Sequence, residues 1–182
     1  MSEYAPDHVN ILAWPADHIF RIEHTYRYAR ALFWTQGARV IDAACGSGYG
    51  SQMLRQNAAG VYAVDRDEFA LTHARIASSQ QPGCPIVFEQ HDLDTITLPE
   101  CDIVVSMETI EHLDDPERWM QNMKRVARRI VFSCPIGKTT DTNPSHKHDF
   151  TQEQIMAWTT DWKVQWSEVQ ANTTVIIVMD QP

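Results

Sequence analysis

Short apolar runs alternate along the chain with segments in which apolar residues recur at helical spacing. We predict five strands from these runs, at 38–43, 60–65, 85–92, 101–107 and 129–135. We predict helices between them, at 48–58, 67–79 and 115–127. Strands that alternate with helices form βαβ units and a largely parallel sheet. The run "DIVVSM" is apolar on both faces, which is typical of a strand covered by helices on both sides of its sheet.

Both ends of the chain extend this pattern. A helix is predicted at 17–35, and we expect its apolar face to consist of Ile19, Ile22, Tyr26, Ala29, Leu32 and Phe33. Another helix is predicted at 150–159, where Thr151 as N-cap and Gln154 three residues later form a capping box. Runs at 162–169 and 173–180 predict two closing strands joined as a hairpin.

These elements predict a single α/β domain over residues 1–182. We expect an N-terminal helical cap or lid at 1–36 and a core at 37–182. The sheet is expected to have seven strands, mostly parallel, and to end in a C-terminal antiparallel hairpin.

Composition narrows the function classes. The chain has 182 residues, of which 43% are hydrophobic and 21% are charged, as in an ordinary globular protein. Its net charge of -9 makes nucleic-acid binding unlikely, because such binding needs many Lys and Arg side chains. No apolar run is long enough to span a membrane, and we find no secretory signal, so we expect a cytoplasmic protein.

The segment "VIDAACGSGYGS" (40–51) holds three of the seven glycines. It is the first turn from strand to helix, where ligands of open α/β sheets bind. A dinucleotide fingerprint would place its third glycine at position 51, whereas this chain has Gly46, Gly48 and Gly50. The spacing therefore disfavours a nicotinamide-dependent oxidoreductase.

Carboxylates follow the next two strands. Asp65 ends the second strand and can accept hydrogen bonds from ribose hydroxyls. Asp92, in "HDLD" after the third strand, can accept an adenine amino group. Either residue alone could be a helix cap, but acids at successive strand ends beside a glycine turn predict a nucleoside site.

Together these segments resemble the class I S-adenosylmethionine-dependent methyltransferases. The resemblance rests on "VIDAACGSGYGS", "VYAVDRD", "HDLD" and "CDIVVSMETIEHLDDPERWM", and it implies a Rossmann-like, doubly wound sheet. It further implies that S-adenosylmethionine is the cofactor. The residues that it assigns to cofactor binding are Asp42, Ala43, Cys45, Gly46, Ser47, Gly48, Asp65, Arg66, Asp92, Leu93 and Met107. On the preceding helix, Arg27 or His24 could pair with the cofactor carboxylate, and a solvated Arg27 is an equal alternative.

Two further segments resemble a bacterial branch of this family that is thought to serve glycan or natural-product pathways. They are "EHTYRYARAL" (23–32) and "CPIGKTTDTNPSHKHDFT" (134–151). The Lys/Arg-Pro-Gly-Gly turn usual before the fifth strand is replaced by "VARRI". The resemblance implies a small-molecule or sugar-like acceptor that is methylated at oxygen.

Candidate catalytic residues lie after the fourth and fifth strands. Histidine suits general-base catalysis because its unperturbed pKa is near 6.5. His112, which follows Glu111, and His146 in the polar loop are expected over the same end of the sheet, so we take Glu111, His112 and His146 as catalytic candidates. A structural role for His112 stays an equal alternative.

A metal site is the less favoured alternative. Glu108, Glu111 and His112, with His148 or His146, match the ligand pattern of the small-RNA ribose 2′-O-methyltransferases. The acidic net charge weighs against an RNA substrate. A non-catalytic subunit that binds S-adenosylmethionine and activates a partner also stays open, as does the oligomeric state.

Two expectations concern particular residues. Tyr4 and Trp14 could close over the acceptor as a lid. The substitution Gly48→Val is expected to abolish cofactor binding without unfolding the chain.

Overall fold

The structure, a computed structural model, describes residues 19–182. The expected lid residues, Tyr4 and Trp14, and the first half of the expected cap lie outside the described residues. The strands are β1 (Arg39–Ala43), β2 (Gly60–Asp65), β3 (Ile86–Gln90), β4 (Ile103–Met107), β5 (Arg129–Pro135), β6 (Lys163–Gln170) and β7 (Thr174–Asp180). The helices are α1 (Ile19–Leu32), α2 (Tyr49–Leu54), α3 (Glu68–Ser79), α4 (Pro116–Val126) and α5 (Gln152–Ala157).

One seven-stranded sheet has the order β3-β2-β1-β4-β5-β7-β6, which confirms the predicted doubly wound α/β fold. The pairs among β1 to β5 are parallel, and β7 lies antiparallel between β5 and β6. Strand β7 is buried over six of its seven residues, whereas the edge strand β6 alternates between exposed and half-buried positions. The apolar sequence of β7 and the alternating sequence of β6 follow from these two environments.

Helices cover both faces of the sheet. One core cluster includes Tyr28 of α1, Leu54 of α2 and Leu71 of α3. The other includes Trp119 of α4 and Ile155 of α5. The ends of the helices follow local rules, because Asp115 caps α4 with Pro116 as its first residue, and the predicted capping box of α5 is present.

Two of the predicted helices differ from the structure. Helix α2 ends at Leu54, four residues before the predicted end at 58. The apolar face expected for α1 is wrong, because Ile19, Ile22 and Phe33 are 58%, 49% and 75% exposed. Its buried residues are Arg27, Tyr28 and Ala31. The periodicity of apolar residues failed here because two of the buried side chains are polar and are fixed by partners on other elements.

Candidate functional site

A cavity of about 720 Å³ opens at the carboxyl ends of β1, β2 and β4. This is the position where ligands of open α/β sheets bind. Its walls come from α1, these three strand ends, residues 91–94 after β3, the turn after β4, the loop after β5 and the start of β7. It therefore gathers residues that are far apart in the sequence.

The glycine turn after β1 forms one wall. Gly46 has a φ of 52°, and its N–H donates to Asp65 Oδ2 at 2.7 Å. A Cβ at Gly46 would meet no atom within 4 Å, so this glycine leaves open space beside the cavity. Ala44 also lines the cavity, and it takes a φ of 60° that L side chains rarely adopt.

The other two glycines of the turn serve packing. Gly48, with a φ of 76°, faces α3, and a Cβ there would lie 2.7 Å from Ala74 Cβ. A Cβ at Gly50 would lie 2.1 Å from the Tyr28 ring. Neither glycine lines the cavity. The structure therefore gives Gly48→Val a different expected outcome, because the added side chain would collide with α3 and destabilise the fold.

Asp42 lies behind the turn, fully buried, and does not line the cavity. The Tyr28 hydroxyl donates to its Oδ1 at 2.9 Å, and the Ser51 hydroxyl donates to its Oδ2 at 2.5 Å. Burial raises the pKa of Asp42 to about 7, although both hydroxyl donors oppose that shift. Asp42 thus links Tyr28 of α1 to Ser51 of α2, which directly follows the glycine turn.

Acidic residues lie at the end of the cavity next to β2 and β3, where the sequence predicts a nucleoside. Asp65 is buried, and its Oδ1 accepts the N–H of Asp67 at 2.9 Å. Arg66, Asp92 and Leu93 line the same end. The Asp92 carboxylate is oriented by the N–H of Asp94, which donates to Oδ1 at 2.9 Å. These residues occupy the strand ends where the sequence placed them.

An ion pair lies on the α1 side of the cavity. Arg27 is buried, with Nη2 3.8 Å from Glu108 Oε2 and donating to Thr174 Oγ1 at 3.4 Å. Arg27 Nε and Nη1 are buried without a hydrogen-bond partner among the described residues. Nearby, His24 Nδ1 lies 3.1 Å from the Tyr49 hydroxyl, and burial, aided by Arg27, lowers the pKa of His24 to about 4. The unpartnered donors of Arg27 fit an anionic ligand group, and a solvated Arg27 is wrong.

Glu111, His112 and His146 meet at the opposite side. His112 Nε2 lies 3.8 Å from Glu111 Oε1, and the rings of His112 and His146 pack edge to face with centroids 4.8 Å apart. Both carboxyl oxygens of Glu111 are buried without a hydrogen-bond partner among the described residues. Burial and the nearby Glu108 raise the pKa of Glu111 well above its usual range. Its surroundings therefore favour the protonated form of the Glu111 carboxyl group.

The loop after β5 covers this side and is fixed by local bonds. His112 Nδ1 lies 3.1 Å from the Ser145 carbonyl, which can only accept, so Nδ1 carries a proton. The N–H of Lys147 donates to the Glu111 carbonyl at 2.8 Å. His148 Nε2 donates to the Leu113 carbonyl at 2.9 Å, so this histidine ties the loop to the turn after β4. Burial and His112 lower the pKa of His146 to about 4, which keeps this ring neutral.

The cavity brings together most of the predicted site residues. Those that line it are Arg27, Cys45, Gly46, Asp65, Arg66, Asp92, Leu93, Met107, Glu108, Glu111, His112 and His146. The structure places five others outside its lining, namely Asp42, Ala43, Ser47, Gly48 and His148. Sequence reasoning pointed to the loop after β5 and to His146, but it did not single out the lining residues Thr139, Thr142 and Ser145, or Ser133, which holds Glu108, because no local pattern marks them.

The metal-ligand set differs from the one expected. Among residues 19–182, Glu111, His112 and His146 offer ligand atoms that lie within 4.8 Å of one another. His148 is taken by the Leu113 carbonyl, and Glu108 accepts from the Ser133 hydroxyl at 2.7 Å. Of the expected ligands, Glu108 and His148 lie outside this cluster, whereas His146, the other histidine expected, belongs to it.

Comparison with known proteins gives the family. Residues 41–130 match a family described as "Methyltransferase domain". A probable S-adenosylmethionine-dependent methyltransferase of Mycobacterium tuberculosis is 34% identical over 129 residues, which cover 64% of this chain and 44% of that protein. The chain belongs to the class I S-adenosylmethionine-dependent methyltransferases. S-adenosylmethionine is therefore its cofactor.

Other methyltransferases agree with this assignment. A ubiquinone biosynthesis O-methyltransferase of Coxiella burnetii is 31% identical over 112 residues, 59% of this chain and 47% of that protein. Magnesium protoporphyrin IX methyltransferase of Synechocystis has a TM-score of 0.74 at 18% identity with bound S-adenosylhomocysteine and of 0.76 at 17% identity with bound S-adenosylmethionine. The complex with S-adenosylmethionine covers 95% of this chain and 88% of its own, and this likeness concerns the fold.

Two further findings concern the length of the relatives and the helices of this chain. The chain spans about half the length of the curated relatives that it matches, from 44% to 54%. Within residues 19–182, we find no helix with the length and apolarity that a membrane crossing requires.

Proposed function

We propose that this protein transfers a methyl group from S-adenosylmethionine to an oxygen of a small, polar, sugar-like acceptor. The observation that carries the proposal is the chemistry of the wall beyond the cofactor residues. The loop after β5 faces the cavity with hydroxyl and amide groups of Thr139, Thr142, Asn143 and Ser145. Such groups hydrogen-bond hydroxyls, and within the described part of this loop no Phe, Tyr or Trp side chain lines the cavity.

The cofactor fits this cavity on two observations of the structure. Arg27 has buried donors without a partner, and the turn at Gly46 leaves open space beside Asp65. Asp65 and Asp92 would hold the nucleoside end, and Arg27 would bind the carboxylate. When bound, S-adenosylmethionine supplies the electrophilic methyl group.

His112, with His146 packed beside it, would activate the acceptor. Since Nδ1 of His112 carries a proton, the neutral ring has its lone pair on Nε2, which can accept the proton of the acceptor hydroxyl. His146 packs against the His112 ring and lies with Nδ1 2.7 Å from the Thr139 hydroxyl, which fixes its orientation. The Glu111 carboxyl group lies with Oε1 3.8 Å from His112 Nε2, and in its protonated form it would donate a hydrogen bond to an acceptor oxygen. Transfer to oxygen also agrees with the name of the Coxiella relative.

The test is methyl transfer from labelled S-adenosylmethionine into small-molecule extracts of the host organism, followed by identification of the labelled product. We expect label in a polar, hydroxyl-bearing compound as a base-stable methyl ether. Label on nitrogen, or in an aromatic compound, would contradict the proposal. Binding of the cofactor without transfer to any extract would instead support a non-catalytic subunit.

A second candidate, metal-assisted methyl transfer to a ribose hydroxyl of RNA, is favoured by one observation. Glu111, His112 and His146 place a carboxylate and two imidazoles within 4.8 Å of one another, which is a set that divalent transition metals bind. A bound ion would lower the pKa of a coordinated hydroxyl in place of the base. The net charge of -9 disfavours RNA as the acceptor.

Metal dependence separates the two candidates. Titration calorimetry with Mg²⁺ and Mn²⁺ should show no site-specific heat if His112 acts as a base, and activity should persist in excess chelator. Binding of Mn²⁺ that is lost in His146→Ala, together with activity that requires the ion, would favour the second candidate.

A further inference from the structure

The loop after β5 is closed at its base by one backbone bridge. The N–H of Gly137 donates to the carbonyl of Phe150 at 2.8 Å, so residues 138–149 leave and return at the same place. Within these described residues, none belongs to a helix or a strand. Because the loop lacks the regular bonds of secondary structure, individual side chains must hold it in one conformation.

Asp149 supplies three hydrogen bonds just inside this bridge. Its Oδ1 accepts the N–H of Thr139 at 2.8 Å and the N–H of Thr140 at 2.9 Å. Its Oδ2 accepts the Thr140 hydroxyl at 2.9 Å. The N–H donors of Thr140 and Thr139 hold the pKa of the Asp149 carboxyl below its usual range, so the carboxylate is ionised at neutral pH. Bonds to an ionised acceptor are stronger than neutral ones, so Asp149 fixes the backbone of Thr139 firmly.

Thr139 connects this backbone to the cavity. Its carbonyl accepts the N–H of Thr142 at 3.1 Å and the N–H of Asn143 at 2.9 Å. Its hydroxyl lies 2.7 Å from Nδ1 of His146. A threonine side chain has few rotamers, so a fixed backbone also fixes the position of the hydroxyl.

His146 depends on this hydroxyl for its tautomer. Burial, together with His112, lowers the pKa of His146 to about 4, so its ring is neutral at pH 7. In a neutral imidazole, the partner of one nitrogen decides which nitrogen carries the proton. The Thr139 hydroxyl is the partner of Nδ1, and the ring that it orients packs edge to face against His112 at 4.8 Å.

We infer that Asp149 is a positioning residue, which acts through Thr139 to fix the orientation and the tautomer of His146 beside His112. Asp149 itself lies outside the lining of the cavity, so its effect must pass through the loop. The inference rests on the proposed function in taking His112 as the base that His146 supports.

The first test reads the His146 ring directly and needs no acceptor. Nitrogen-15 NMR at pH 7 should show one tautomer of His146 in the wild type, with the signal assigned by its loss in His146→Asn. Asp149→Ala should show a mixture of the two tautomers. Asp149→Asn keeps an oxygen that can accept both N–H groups, so it should restore most of the wild-type signal.

The second test measures turnover with the extract fraction that the wild type labels. Asp149→Ala should lower kcat by about tenfold to a hundredfold, as expected when a reacting group is misplaced. The affinity for S-adenosylhomocysteine should change by less than about twofold, because the loop does not reach the strand-end acids. Thr139→Val should lower kcat to a similar extent, and the double variant should lose little more than either single one.

Asp141→Ala is the matched control. Asp141 is an exposed carboxylate of the same loop, and among residues 19–182 it has no hydrogen bond or ion pair. This substitution removes the same charge from the loop without removing support from Thr139. Its kcat and its His146 signal should match those of the wild type.

Several outcomes would overturn the inference. An unchanged His146 signal in Asp149→Ala would show that Asp149 does not set the tautomer. Equal losses of kcat in Asp149→Ala and Asp141→Ala would assign the effect to charge, and a parallel loss of S-adenosylhomocysteine binding would assign it to the fold. If the wild type transfers no methyl group to any extract, the proposed function fails, while the ring signals still decide the inference.

Discussion

At the nucleoside end of the cavity, backbone conformation and carboxylates at strand ends shape the site, whereas at the acceptor end the side chains of an irregular loop do so. The first end is fixed by β1, β2 and the turn through Gly46. The second depends on Ser145, His146 and Lys147, which are held to the turn after β4 by individual hydrogen bonds. The shared fold therefore accounts for the cofactor, and the loop accounts for the proposed acceptor chemistry.

The largest expected effect is a loss of kcat caused by a substitution at the acceptor end alone. His112→Asn removes the proposed base and should lower kcat by about 10²- to 10⁴-fold. Because His112 lies away from the strand-end acids, the affinity for S-adenosylhomocysteine should stay within a few-fold. The measurement is single-turnover transfer together with calorimetry.

His148→Asn is the matched control for this prediction. His148 belongs to the same loop but bonds to the Leu113 carbonyl and does not line the cavity. Its kcat should therefore stay close to that of the wild type. Equal losses in the two variants would show that His112 only supports the loop.

Two alanine variants test the different roles of Gly46 and Gly48 in the glycine turn. Gly46→Ala and Gly48→Ala both place a side chain at positive φ, but only at Gly48 does the Cβ meet another atom, Ala74 Cβ at 2.7 Å. Gly48→Ala should lose about 1–3 kcal/mol more of the free energy of unfolding than Gly46→Ala, because it adds overpacking to backbone strain. Denaturant titration measures both variants, and equal losses would refute the packing role of Gly48.

The two ends should respond to pH with opposite sign. Asp42 has a pKa of about 7 in the folded protein against an ordinary 3.8, so the folded state holds more protons and stability falls as pH rises from 4 to 7. His146 has a pKa of about 4 against an ordinary 6.5, so the unfolded state holds more protons and stability is lost as pH falls through this window. Each group contributes a slope of at most about 1.4 kcal/mol per pH unit.

Single substitutions separate the two contributions to the pH dependence of the free energy of unfolding. Between pH 4 and 7, the slope of the unfolding free energy against pH should be more positive in Asp42→Asn than in the wild type, because the contribution that falls with pH is lost. In His146→Asn the slope should be more negative than in the wild type, because the contribution that rises with pH is lost. Slopes unchanged by either substitution would mean that the two groups titrate as they do in the unfolded chain.

The smallest expected effect is a gain in the free energy of unfolding. Ala44 has a φ of 60°, so Ala44→Gly should raise the free energy of unfolding by about 0.5–1 kcal/mol by relieving backbone strain. Ala43→Gly, one residue earlier within β1, should instead destabilise the protein by about 0.5–1 kcal/mol. The same sign for both substitutions would contradict the argument from strain.

The same contrast explains how much could be predicted from the sequence. Strand ends, the glycine turn, Asp65 and Asp92 follow local rules, so their places could be predicted. The buried face of α1 could not be predicted, because two of its buried side chains, Arg27 and Tyr28, are polar. Arg27 is held by Thr174 and Tyr28 by Asp42, and neither partner is visible in the periodicity of the helix. The choice of His146 over His148, and the support of Glu108 by Ser133, depend on how a loop and a neighbouring strand meet in space.

The most direct test of the account is a crystal structure of the complex with S-adenosylhomocysteine. We predict that the ribose hydroxyls bond to Asp65 and that the amino-acid end lies between Arg27 and Glu108. The sulfur should face the space before His112 and His146. A ligand whose sulfur points away from these histidines, or whose nucleoside lies outside the ends of β1 and β2, would contradict the assignment of the two ends.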